Sequence, residues 1–154
     1  MLSRPVNGWT DFQLEGTSTY GLSYLNDVAI EWLEQAIHGL KTLSPFCVRG
    51  FLEPRRLLCV VSFWNCHIIV EDDDELPTEN EDIIREYSHT NMISFCRQLY
   101  EDVSKRVDEW ATFEASTEDA EKISKVTKIR RMLEELKLLI AINENHFGSD
   151  RCFF

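Results

Sequence analysis

Between Trp9 and Glu15 apolar and polar positions alternate, with Thr10, Phe12 and Leu14 on one side and Asp11, Gln13 and Glu15 on the other. A period of two predicts a half-buried strand. Gly16 to Leu25 is polar, holds two tyrosines and reads as loop. The period then changes: Ala29, Trp32, Leu33, Ala36, Ile37 and Leu40 recur three and four apart, the repeat of a helix that buries one stripe. Asn26 or Asp27 supplies its cap, it runs to about Leu43, and Ser44-Pro45 ends it.

Phe46 to Leu52 predicts another strand, and Glu53-Pro54-Arg55 a turn. Leu57 to Val70 is rich in β-branched and aromatic residues. Two strands meeting near Trp64-Asn65 are expected, with one long bent strand as the alternative. A short helix is expected near Asp82–Tyr87. Met92, Cys96, Leu99, Val103, Val107 and Trp110, spaced 4, 3, 4, 4 and 3, predict one amphipathic helix from about Asn91 to Phe113. Ser116 and Asp119 have capping-box spacing. A final helix follows to about Asn143, with Ile123, Val126, Leu133, Leu136 and Ile140 facing inward. This order predicts an α+β fold, a small, mainly antiparallel sheet with amphipathic helices on one face and two long C-terminal helices. No repeat and no Gly/Ser hinge interrupts the 154 residues, so 1–154 is expected to form a single domain.

Charge changes the picture more than composition does. The formal net charge is −11, yet residues 117–154 carry seven acids and seven bases. The excess therefore lies earlier, and between Glu71 and Glu86 nine acids face one base, Arg85. Burying so many unpaired carboxylates would cost many kcal/mol, so Glu71 to Asp82 must be exposed. Such a chain disfavours direct nucleic-acid binding, which needs a basic track to displace counterions, and favours a basic protein partner. Glu71, Asp72, Asp73, Asp74, Glu75, Glu79, Glu81 and Asp82 are the candidate partner-binding acids. Phe63 and Trp64, just before them, are poor turn formers. The ordinary burial of large rings favours the core, while the enrichment of Trp at hot spots makes them candidate anchors.

Apolar stretches such as Leu57–Val61 are far too short for a membrane span. Five cysteines, Cys47, Cys59, Cys66, Cys96 and Cys152, show no short paired spacing. Free thiols in a reducing compartment explain them best, so a cytoplasmic location is expected.

Catalytic and metal signatures are weak. Cys66 and His67 are neighbours in an expected strand, so their side chains diverge. The cysteines lack the close pairs of structural zinc sites. Asp72 and Asp74 open like a calcium loop, but Leu76 and Pro77 stand where an oxygen ligand and a glycine belong. No Gly-rich phosphate loop, GxSxG or HExxH is present. No metal or cofactor is expected. Lys122, Lys125 and Lys128 drift around one side of the last helix and read as a solvated face, neutralised by nearby acids.

Several features are shared with a known group. They are Asn7-Gly8-Trp9-Thr10-Asp11-Phe12, a Trp-bearing first helix, a hairpin ending in Ile68-Ile69-Val70-Glu71-Asp72, and a helix containing Leu99-Tyr100-Glu101-Asp102. Over roughly residues 7–113 this layout resembles small acidic bacterial immunity proteins, the cognate inhibitors of secreted polymorphic or contact-dependent toxins. The resemblance implies a cytoplasmic inhibitor of a toxin, often a basic nuclease, with carboxylates occupying the groove meant for phosphates. The runner-up is a phage or mobile-element inhibitor of a host nuclease, of the anti-CRISPR kind. The third reading is an enzyme whose site no motif marks.

Overall fold

The computed structural model describes residues 1–72, 82–114 and 118–147. It is α+β. Strands β1 (Trp9–Phe12) and β2 (Tyr20–Ser23) form a small antiparallel sheet. A second sheet, antiparallel throughout, runs in the order β3 (Phe46–Phe51), β4 (Arg55–Val61), β5 (Cys66–Asp72) and β6 (Ile84–Ser88). The helices are α1 (Val28–Thr42), α2 (Met92–Ser104), α3 (Val107–Ala111) and α4 (Asp119–Phe147).

Alternation along β3, β4 and β5 puts Phe46, Val48, Leu57, Cys59, Val61, Cys66, Ile68 and Val70 on a fully covered face. Cys47, Arg49, Leu58, Val60, His67 and Ile69 occupy the opposite face, half-buried or exposed. The helices lie on the covered side. Asp27 caps α1 by accepting the Ile30 N–H at 3.1 Å, and every apolar position of the expected stripe is buried. Trp32 stands at the centre. Its ring meets Phe12 edge-on at 5.1 Å and stacks on Phe95 at 6.1 Å. Its indole N–H donates to the Arg49 carbonyl at 2.7 Å.

Helix α4, at 29 residues about 43 Å long, runs parallel to α1. Lys125–Asp27, Lys128–Glu34 and Lys41–Glu135 pair in the same order along both helices. The lysines at 125 and 128 thus meet acids of the first helix. The neutralising partners of this face include α1 carboxylates as well as the neighbouring Glu121.

Several expectations are corrected. The stretch read as loop contains β2, paired to β1 from Trp9↔Ser23 to Phe12↔Tyr20. The short helix expected near Asp82–Tyr87 is instead the edge strand β6, held to β5 by pairs from Cys66↔Ser88 to Val70↔Ile84. Only Ser88 of β6 is buried, so it carries no alternation to read. The single helix expected from Asn91 to Phe113 breaks at Lys105-Arg106, where Arg106 leaves helical geometry at φ −145°. The apolar spacing runs through the break because α2 and α3 pack into the same core. Ile123, expected inward, is 69% exposed in the first turns of α4. That helix also continues past Asn143. Ser116 of the expected capping box lies outside the described residues.

Candidate functional site

The acidic segment leaves the sheet at the end of β5 and returns at β6. Its roots are neutralised from the neighbouring strand. Arg56, the cross-strand partner of Glu71, pairs with it at 2.7 Å. Arg55 holds Asp72 at 3.5 Å and donates to the Asp82 carbonyl at 2.7 Å. Glu71 and Asp72 are thus half-buried and paired, and Asp82 is exposed. Asp73, Asp74, Glu75, Glu79 and Glu81 lie outside the described residues.

Phe63 and Trp64 form the tip of the β4–β5 hairpin, which makes Leu57 to Val70 two strands rather than one. Ser62 and Asn65 close this turn: the Ser62 hydroxyl donates to the Asn65 carbonyl at 2.9 Å, and the Ser62 N–H donates to the same oxygen at 2.9 Å. The two rings between them turn outward or inward without disturbing the loop. Phe63 packs against the core, while Trp64 is 57% exposed. These rings stand at the start of β5, and the acids begin at its end. Seven residues of strand separate them by about 20 Å. Residues adjacent in sequence are therefore not brought together in one site.

The small sheet is fastened to the middle of β6. Tyr20 of β2 donates its hydroxyl to Glu86 of β6. Ser18 donates to the same carboxylate through its N–H at 3.2 Å and its hydroxyl at 2.9 Å. Burial and the Glu86 hydrogen bond push the Tyr20 hydroxyl up to about 12, and the Tyr20 hydrogen bond holds the Glu86 carboxyl below its usual range. From Tyr20 the strand crosses beneath the sheet to β3, where Leu22 packs on Gly50. A Cβ at Gly50 would come within 2.7 Å of the Leu22 side chain. Past Leu22, Tyr24 and Leu25 emerge at the surface beside Trp9. The reading of 16–25 as polar loop passed over this strand and its aromatics. The Asn7-Gly8 turn, with positive φ of 52° and 77°, joins Val6 to Trp9 ahead of β1 and so gave no signal for β2.

Because Glu86 is held below the usual carboxyl range, its stabilising contribution is present above the unfolded value of about 4.3 and lost as pH falls through the lower folded value. Tyr20→Phe is expected to cost about 1–3 kcal/mol at pH 7. The gap to the parent should close in acid, once Glu86 is protonated in both. Urea unfolding of both proteins at pH 7 and in acid measures this.

Cys66 and His67 do diverge. Cys66 is buried, its Sγ donating to the Thr90 carbonyl at 3.3 Å, whereas His67 stacks on Tyr87 at 4.3 Å on the outer face. Burial, with a smaller effect of Arg85, lowers the His67 pKa. Hydrogen bonding to Cys66 and burial push the Cys59 thiol well up, and burial does the same for Cys96. Cys47 is a free, exposed thiol.

A groove of about 490 Å³ runs between α1 and β3, lined by Glu31, Glu34, Gln35, Cys47, Arg49 and Leu58 among others. Its carboxylates are held in ion pairs, Glu31 with Arg49 at 3.3 Å and Glu34 with Lys128 at 3.0 Å. Among the described residues, no three of His, Cys, Asp and Glu come together as a group able to hold a metal. None of the helices within that range is long and apolar enough to cross a membrane. No family model matches the chain, and neither does any curated protein or solved structure.

Proposed function

We propose that this is a non-catalytic acidic binding protein that inhibits a basic protein partner, acting in the cytoplasm as an immunity protein against a toxin of the nuclease kind. The observation that carries the reading is the placement of charge. Arg55 and Arg56 pair with the roots of the acidic segment, Asp72 and Glu71. Between residues 73 and 82 the sequence adds six further acids and no base. The lysines at 125 and 128, by contrast, are engaged by acids of α1 and its cap. Of the net charge of −11, −8 falls between Glu71 and Glu86, and such a concentration attracts basic surfaces from beyond contact distance and rejects acidic ones.

The test is capture of partners by the tagged protein in its cells of origin, beside a variant carrying Asp73→Asn, Asp74→Asn, Glu75→Gln and Glu79→Gln. The expected result is a basic protein retained by the parent and depleted by the variant. Its activity should be suppressed by one equivalent of the parent. A retained partner that is acidic, or one whose activity the parent leaves untouched, sinks the reading.

A further inference from the structure

Helix α4 uses one side for the fold and leaves the other uncovered. Ile129, Leu133, Leu136 and Ile140 are buried. Lys125, Lys128, Glu135 and Glu144 pair with Asp27, Glu34, Lys41 and Arg97. On the opposite side Ile123, Leu138 and Ile142 are 69%, 66% and 53% exposed. At about 100° per residue they share one ridge with Ser124, Thr127, Arg131, Glu134 and Ala141, which are exposed as well. Positions 124, 127, 131, 134, 138 and 141 of this ridge alternate in steps of three and four. That is the spacing of a helix that packs along a second helix. The Thr127 hydroxyl donates to the Ile123 carbonyl at 3.1 Å, so covering the ridge strands no donor there. Arg131 and Glu134 take no part in the ion pairs that join α4 to the other described elements.

The order of side chains along this ridge is complementary to itself when it is reversed. A two-fold axis between Met132 and Leu133 sets position 131 against 134, 127 against 138 and 124 against 141. Arg131 then faces Glu134 of a second copy, and symmetry makes the same pair again. Leu138 covers Thr127, and the small Ser124 and Ala141 let the helices close, with Ile123 and Ile142 on either side of them. A parallel pairing would instead set Arg131 against Arg131 and Glu134 against Glu134. Charge also selects this element for contact between copies. The excess of −11 lies before residue 117, and residues 117–154 are balanced at seven acids and seven bases. Two copies meeting on α4 therefore do not bring excess acid together, whereas a basic partner finds none to bind there. Arg130 and Lys137 would face each other at one rim, where both are exposed and like charges in water cost little.

We infer that the exposed ridge of α4 is a self-association surface, on which a second copy of this chain docks antiparallel about the Arg131 and Glu134 pairs. The contact is isologous, so it closes at two copies. From Ile123 to Ile142 the ridge is about 29 Å long and one helix, about 10 Å, wide. That is smaller than the standard interface of about 800 Å² per partner, which makes the dimer a weak, reversible one. Dimerisation does not depend on what the acidic connection between β5 and β6 binds.

Sedimentation equilibrium of the full chain, from about 5 to 500 µM in the range where weak interfaces form, is the test. The expected result is a monomer–dimer equilibrium. Arg131→Glu alone, or Glu134→Arg alone, sets like charges face to face twice in each dimer and should weaken it at least about tenfold. Mixing these two variants restores both pairs and should restore the dimer between them. The double variant, with Arg131→Glu and Glu134→Arg together, should dimerise with itself. Leu138→Ser removes apolar contact from both copies and should also weaken the dimer about tenfold or more. All three positions are exposed, and circular dichroism checks that each variant keeps its helices. A chain that stays monomeric over the whole range, or that assembles beyond two copies, overturns the inference. A dimer that the single charge reversals leave intact does so too, as does a loss that neither the mixture nor the double variant restores.

Discussion

Trp32→Ala is expected to destabilise the protein by roughly 3–5 kcal/mol, the range for deleting a fully buried tryptophan. Trp32 has no exposed surface and joins four elements at once. It meets Phe12 of β1 and Phe95 of α2 through its ring, β3 through its indole N–H, and it belongs to α1. Cutting it to alanine leaves a cavity between layers that cannot collapse without moving the small sheet. Against a total stability of typically 5–15 kcal/mol, the loss is a large fraction. Trp32→Phe separates the two contributions. It keeps most of the ring and removes the N–H, leaving the Arg49 carbonyl with the Asn26 amide at 3.2 Å. A smaller cost of about 1–2 kcal/mol is expected. Urea unfolding midpoints of the three proteins measure both. Equal midpoints for parent and Trp32→Ala would mean that the core is not organised around this ring.

The second large effect is on association. Replacing Asp73, Asp74, Glu75 and Glu79 by their amides removes four charges from a segment that holds no base between 73 and 82. At low ionic strength association with a basic partner should slow by about 10- to 100-fold. The salt dependence of the parent should flatten in the variant, since screening acts only on charge that is present. Thermal unfolding should barely move, because the arginines of β4 pair with Glu71 and Asp72, which the variant keeps. Stopped-flow association from low to moderate salt distinguishes these outcomes. An unaltered rate across that range refutes steering by this segment.

The Tyr20→Phe comparison in acid reads how the small sheet is fastened to β6.

By itself the sequence determined the elements whose side chains repeat with the geometry of the backbone. The three- and four-residue spacing of α1 names its buried stripe because burial of one face is what makes that helix stable. The alternation of β3, β4 and β5 names the covered face of the sheet for the same reason. The divergence of Cys66 and His67 follows from strand geometry alone. Tertiary structure decided the rest. β6 has a backbone partner on one side and hardly any buried side chain, so only the hydrogen bonds of β5 make it a strand. β2 is four residues long with a glycine inside, and β1 supplies its pairing. The turn between α2 and α3 is invisible to periodicity because the apolar spacing continues through it. Trp64 and Glu71 are seven residues apart in sequence yet stand at opposite ends of β5, because an extended strand carries the chain about 20 Å over that span.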